Sequence, residues 1–372
     1  MGRRHLPLGR IFGIPIGLDY TWFLIFVLLT WSFAVSYYPR EFSTGTPLVY
    51  WVTAAATAIM LFVSVLIHEL GHSVVAMRYS IPISSITLFL FGGVAQMTEE
   101  PPSAVSEFWI ALAGPATSLL LAGVFYLLTD VVAAAAPVLA LVKYLAYINL
   151  VLVLFNLIPG FPLDGGRVFR AIVWGITKNL RKATMIAAGV GRFIAFLFIF
   201  FGFWQILSGD LGSGVWIAFI GWFLENAASA QVQQQMVQSL LAGHTVADAM
   251  TPDVMNIPPD VTLQELVDEH ILISGKRAYV VKQGDHVAGL LTLQKVRETP
   301  RTDWATTRVE QVMILPEEMK QVRPDTELWE CLRVMNRQGV NQLPVMDSGR
   351  IYGMLSRDDI ISYLHSLRQM SP

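Results

Sequence analysis

The chain has 372 residues, of which 54% are hydrophobic and 15% charged, with a formal net charge of -2. That balance is too apolar for an ordinary soluble protein, and no basic stripe with interleaved aromatics offers itself to nucleic acid, so no nucleic-acid partner is expected. Cys331 is the single cysteine, which rules out an intrachain disulfide and, in an amphipathic helical segment, reads as a buried structural thiol.

The apolar excess falls before about residue 231. Spans of about 20 apolar residues can cross a bilayer, and six are expected, at residues 20–38, 50–77, 107–128, 138–158, 187–207 and 214–230. Arg3 and Arg4 ahead of the first span, with Ala34-Val35-Ser36 near its end, loosely resemble a cleaved signal. The apolar run is too long for that and further spans follow, so a retained first span is expected. Arg3, Arg4, Arg10, Arg78, Arg167, Arg170, Lys178, Arg181 and Lys182 fall in connections on one side, against Arg40 on the other. The lysine and arginine bias then places both termini in the cytoplasm.

Inside the second span stands His68-Glu69-Leu70-Gly71-His72. On a helix, residues i and i+4 share a face, so both imidazoles reach one metal ion while Glu69 sits beside the attacking water. Ionisable groups among flanks that suit hydrocarbon are costly, which favours metal binding over a pair of packed histidines. Residues 83–97 are short, rich in β-branched and aromatic residues and broken at Gly92-Gly93, so a hairpin dipping toward the site is expected rather than a helix. The fourth span runs in the same direction as the second and ends in Asn156-Leu-Ile-Pro159-Gly-Phe-Pro162-Leu-Asp164-Gly165-Gly166. A tetrahedral catalytic zinc needs a third protein ligand. Asp164 is the candidate, since Pro159, Gly160 and Pro162 end the helix and leave extended backbone; a turn aspartate before two glycines is the other reading. Asn156 could donate to an oxyanion or a substrate carbonyl, or cap its own helix.

Beyond residue 231 the composition becomes that of a soluble α/β unit with an internal repeat. Residues 245–250 align with 308–313, 259–263 with 324–328, and 289–292 with 353–356. Each copy is too small to bury much core alone, so two packed units are expected.

The H-E-x-x-H of the second span, followed by N-x-x-P-x-x-P-L-D-G-G at the end of the fourth, resembles the site-2 protease family of intramembrane zinc metalloproteases. Phe91-Gly-Gly-Val94-Ala-Gln-Met97 and Ile14-Pro-Ile-Gly-Leu18 also fit that family. The repeat resembles a pair of cystathionine-β-synthase (CBS) domains, which one branch of the family carries after its sixth span. The fold class implied is a multi-pass α-helical membrane domain of six transmembrane helices plus a re-entrant β-hairpin, followed by an α/β CBS pair. The domains expected are residues 1–232, a linker 233–243, and repeats at 244–300 and 301–372.

The resemblance implies one zinc per chain on His68, His72 and Asp164, with Glu69 as the base and Asn156 as a polar helper at the scissile carbonyl. Gly92 and Gly93 would mark the tip of the hairpin, whose edge could pair with an unwound substrate. CBS pairs hold adenine nucleotides through a Ser/Thr-x-x-Asp, which survives here as Ser356-Arg-Asp-Asp359 but is lost at Thr292, followed three residues later by Lys295. A helix cap is the alternative for Ser356 and Asp359, and both nucleotide binding and a purely dimerising role stay open. The expected function is an intramembrane zinc endopeptidase acting on a single-span membrane protein in a prokaryotic cell membrane, with the CBS pair cytoplasmic and regulatory and the protein a homodimer through it. The competing reading is a CBS-regulated transporter or channel.

Overall fold

The computed structural model describes residues 5–43, 45–90, 92–252, 254–274, 278–284, 286–347 and 350–370. Arg3, Arg4 and Phe91, which entered the expectations above, lie outside the described residues. The chain divides into two compact units, Met1–Gln235 and Met236–Pro372.

The first unit opens with β1 (His5–Ile11) and β2 (Ile14–Asp19). Asp19 then caps α1 (Tyr20–Ser32), accepting from the Thr21 N–H at 2.9 Å. A π-helical turn (Phe33–Tyr37) leads into α2 (Tyr38–Glu41). The long α3 (Pro47–Arg78) precedes β3 (Ile83–Phe89) and β4 (Gly92–Met97). Four further helices complete the unit: α4 (Ala104–Val131), α5 (Ala136–Asn156), α6 (Asp164–Thr177) and α7 (Leu180–Leu207). The division between units falls within α8 (Leu211–Leu241).

Among the described residues, five stretches are long and apolar enough to cross a membrane: Tyr20–Glu41, α3, α4, α5 and α7. The protein is therefore a multi-pass membrane protein. The expected sixth span, residues 214–230, lies in α8, which is not among the five because Glu225 and Asn226 dilute its apolar run.

Packing in this unit is inside-out relative to a soluble bundle. On α3 the buried positions apart from Phe62 are small or polar, including Thr53, Ala54, Thr57, Ala58, Ser64 and Ala76. Large apolar residues such as Phe23, Leu24 and Val27 on α1 and Phe196, Phe200 and Trp204 on α7 face outward. Lipid offers large side chains as good a surroundings as a protein core does, so small residues gain the interfaces by letting backbones approach.

The expected hairpin is β3 and β4, and it forms half of a four-stranded sheet, ordered β1-β2-β3-β4, in which β2 pairs parallel with β3. The lead-in residues 14–18 form a strand that pairs with β1 on one side and, at residues 16–18, with residues 86–88 on the other, a long-range partner that local pattern does not announce. β1 and β4 are the two edges of the sheet, and β4 is the edge on the hairpin side. Gly92 pairs with Phe89 and Gly93 with Leu88, so the two glycines begin the returning strand.

The second unit contains two copies of one motif. The first consists of α9 (Val246–Ala249), β5 (Asn256–Ile257), α10 (Leu263–Glu265) with a π turn to α11 (Leu272–Ser274), β6 (Ala278–Gln283), β7 (His286–Thr292) and α12 (Leu293–Glu298). The second has α13 (Val309–Val312), α14 (Leu328–Gln338), β8 (Gln342–Asp347), β9 (Arg350–Ser356) and α15 (Arg357–Met370).

The two leading segments are exchanged. Thr251 bridges Met354 and Val246 packs in the core of Leu328, Cys331, Leu343 and Ile360, whereas Ile314 bridges Leu290 and Val309 packs with Ile257, Leu263 and Leu291. Neither copy completes its core from its own contiguous residues, which gives the physical reason for the tandem repeat. Cys331 is fully buried in the second core, and burial pushes its thiol up to about 12, as suits a packing residue.

Candidate metal centre

α3 supplies His68 and His72 one helical turn apart, and α6 begins on Asp164. Three atoms meet: His68 Nε2 lies 3.1 Å and His72 Nε2 3.2 Å from Asp164 Oδ2, and the two imidazole nitrogens are 3.2 Å apart. Ligands about 2.0–2.1 Å from a tetrahedral zinc stand roughly 3.3 Å from one another. The triangle is thus close to one face of a zinc tetrahedron with its fourth corner open, the arrangement of a catalytic rather than a structural site. His68, His72 and Asp164 are the only group of three metal-ligating side chains so placed among the described residues.

The other ring nitrogens fix the donors. His72 Nδ1 lies 2.6 Å from the Ile110 carbonyl, which can only accept, so that nitrogen carries the proton and Nε2 keeps its lone pair. His68 Nδ1 stands 2.9 Å from Ser118 Oγ. Both partners lie on α4, and the order of the pairs, 68 with 118 and 72 with 110, is that of antiparallel neighbours.

This close approach has a sequence cause. Gly71, between the two histidines, faces Thr117 and Ala113, and Gly114 of α4 lies directly under both imidazoles. A Cβ on Gly114 would overlap the His72 ring and press on His68 Nε2. Gly114→Ala is expected to lower zinc stoichiometry severalfold at fixed free zinc while leaving the helical circular dichroism unchanged; full occupancy by elemental analysis would contradict this account. In the sequence Gly114 is marked only by the Gly114-Pro115 pair inside an apolar span.

Glu69 is not part of the triangle. Its carboxylate faces the backbone N–H of Ala95 on β4, and a Cβ on Gly93 would come within 2.5 Å of Glu69 Cγ. The edge strand therefore lies directly against this residue. Gly93 is in that contact, whereas Gly92 is not. Of the two glycines expected at the hairpin, Gly93 is the one beside Glu69.

Asn156 is the last residue of α5, and its side chain makes no hydrogen bond among the described residues. Its depth follows from another asparagine. Asn149 Nδ2 donates to Ser64 Oγ at 3.2 Å, joining α5 to α3, which run the same way. Seven residues further along each helix, about 10.5 Å, stand Asn156 and Gly71. The asparagine is thus level with the metal-ligating turn.

α6 is held by a buried ion pair. Arg170 donates through Nε to Glu107 Oε1 at 2.7 Å and through Nη2 to the same oxygen, and lies 5.1 Å over the Phe161 ring. Glu107 is fully buried.

In the second unit, Ser356 and Asp359 do come together. Asp359 Oδ2 accepts from the Ser356 N–H at 2.8 Å and hydroxyl at 2.7 Å, and Thr251 Oγ1 donates to Oδ1 at 3.2 Å. That is a helix cap reinforced from the exchanged segment. In the first copy Thr292 Oγ1 merely accepts from the Lys295 N–H.

The profile of peptidase family M50 matches residues 56–135 and 129–200, and the CBS-domain profile matches residues 246–300 and 309–366. The chain is 35% identical to sll0528 of Synechocystis sp., with 97% of this chain and 96% of that protein covered. It is also 35% identical to Rip3 of Mycobacterium tuberculosis, covering 100% of this chain and 95% of that one. Both relatives are named as candidate zinc metalloproteases. Zinc metalloprotease MJ0392 of Methanocaldococcus jannaschii is 29% identical, with 96% and 95% covered. Among solved structures, the site-2 protease from the same organism is 30% identical, covers 61% of this chain and 95% of that one, and superposes with a TM-score of 0.42.

Proposed function

The chain belongs to peptidase family M50, the site-2 protease family, as a zinc-dependent intramembrane protease with a regulatory CBS pair, and from that premise we propose how its residues cleave a membrane-spanning substrate. The three-atom triangle of His68, His72 and Asp164 carries the proposal. When bound there, zinc supplies Lewis-acid polarisation of the scissile carbonyl and acidifies the attacking water. Glu69, next to His68 but outside the triangle, takes that water's proton and passes it to the leaving amine. Asn156 donates to the developing oxyanion from the level of the same turn.

The substrate enters as a strand. A helical substrate hides its carbonyls in its own hydrogen bonds, and pairing with the free edge of β4 exposes them while satisfying its backbone. The sheet then acts as a re-entrant element beside Glu69.

α8 supplies the sixth crossing. Its Glu225 is partnered by Arg192 of α7 at 3.7 Å and by Ser229 Oγ at 2.8 Å, so the charge that breaks the apolar run is compensated. With six crossings, both termini and the CBS pair face the cytoplasm of a prokaryotic cell. Purified, zinc-loaded protein is expected to cut a single-span membrane reporter, to stop after chelation and to resume when zinc is restored. Cleavage that persists in zinc-free protein would overturn the proposal.

An adenine nucleotide binds at Ser356 and Asp359, the ribose hydroxyls replacing the Thr251 hydroxyl on the Asp359 carboxylate. An Asp359→Ala variant should then bind ATP or AMP at least tenfold more weakly; unchanged affinity by calorimetry would leave the cap as the pair's sole role. The CBS pair also joins two chains into a homodimer, which sedimentation of the intact protein in detergent tests.

A further inference from the structure

Arg167 stands one helical turn after Asp164 on α6, so the two side chains share a face. The residue is largely buried, yet its one hydrogen bond among the described residues runs from Nη2 to the Met97 thioether sulfur at 3.7 Å, a weak acceptor. No carboxylate lies within ion-pair distance of it among the described residues. The contrast with Arg170 is informative, since Glu107 accepts twice from Arg170. Arg167 remains a largely unused five-donor fork in the field of Asp164, Glu69 and Glu107. Charge balance sharpens the point: a divalent zinc is matched by Asp164 and Glu69, and Arg167 then leaves the centre with a surplus positive charge.

Met97 closes β4, and Ala95, two residues earlier, is the residue whose N–H faces Glu69. Two residues of strand span about 6.6 Å and return the side chains to one face. A chain laid along the β4 edge with its scissile bond at Glu69 therefore brings the side chain two places away to Arg167. We propose that Arg167 is a specificity-determining residue that receives a substrate carboxylate, Asp or Glu, two residues from the scissile bond. This rests on the protease reading given above. The planar fork fits a carboxylate through two parallel hydrogen bonds, which a lysine or a neutral amide does not reproduce.

The test uses a single-span reporter that the wild-type enzyme cleaves, with Glu and Gln placed in turn at each of the three positions on either side of the cut. At one position two residues from the bond, Glu should exceed Gln in kcat/KM by about ten- to hundredfold, the range of a charged hydrogen bond out of bulk water. Arg167→Gln should remove that ratio with zinc content unchanged, and Arg167→Glu should favour Lys at the same position. Should Arg167→Gln be inactive, the affinities of the Glu and Gln reporters are compared in Glu69→Gln protein with and without it, and the same ratio is expected to vanish. An equal Glu-to-Gln ratio with and without Arg167, or no discriminating position, overturns the inference alone. A wild-type enzyme that cleaves no reporter, with or without the acid, overturns the protease reading as well.

Discussion

A Glu69→Gln enzyme should retain one zinc per chain and lose about 10²–10⁴-fold in kcat, the usual contribution of a positioned general base. Glutamine keeps the shape that packs against Gly93 and the Ala95 N–H, so the geometry of the edge strand is preserved and only the proton acceptor is lost. His72→Ala offers the complementary result. It removes one corner of a triangle whose sides are 3.1–3.2 Å, and should lose metal and activity together. Zinc analysis alongside single-turnover cleavage separates the two. A Glu69→Gln protein that cuts within about threefold of wild type would deny Glu69 the role, since a general base is worth far more. A Glu69→Gln protein that had lost zinc would show the carboxylate to be a ligand.

The centre was open to sequence reading because its chemistry is carried by local spacing. Residues 68 and 72 share a helix face wherever that helix lies, and Pro159, Gly160 and Pro162 announce that the backbone before Asp164 leaves its helix. What the sequence did not disclose depends on partners distant in the chain. Residues 16–18 also pair with residues 86–88, beyond their local partner β1, and nothing in Ile-Pro-Ile-Gly-Leu alternates by polarity to announce it. The repeat of the second unit was visible as a period, yet the exchange of residues 245–251 and 308–314 between copies was not. Self-similarity says which residues correspond and is silent on which copy each one packs against. In the sequence Arg167 is legible only as a positive charge near the membrane. Its place at the end of β4 depends on a contact 70 residues away.

Removing Glu107 should be the most damaging single change outside the metal ligands. Arg170 is buried to 8% exposure and Glu107 to 0%, and both guanidinium contacts go to one carboxylate oxygen. Taking away one partner of such a pair leaves an uncompensated charge in a low-dielectric interior, at a cost of about 3–5 kcal/mol. Glu107→Ala should lower stability by that amount in equilibrium unfolding in mixed detergent micelles. Because Arg170 lies on α6, two turns beyond Asp164, the same variant should also weaken zinc binding although it touches no ligand. The doubly substituted Glu107→Leu, Arg170→Met protein discriminates between charge and packing. If the penalty is the orphaned charge, replacing both members with apolar residues of similar volume should recover most of the stability. If the double variant is as unstable as Glu107→Ala, the pair holds α6 through its own geometry. Zinc affinity should then fall in both variants.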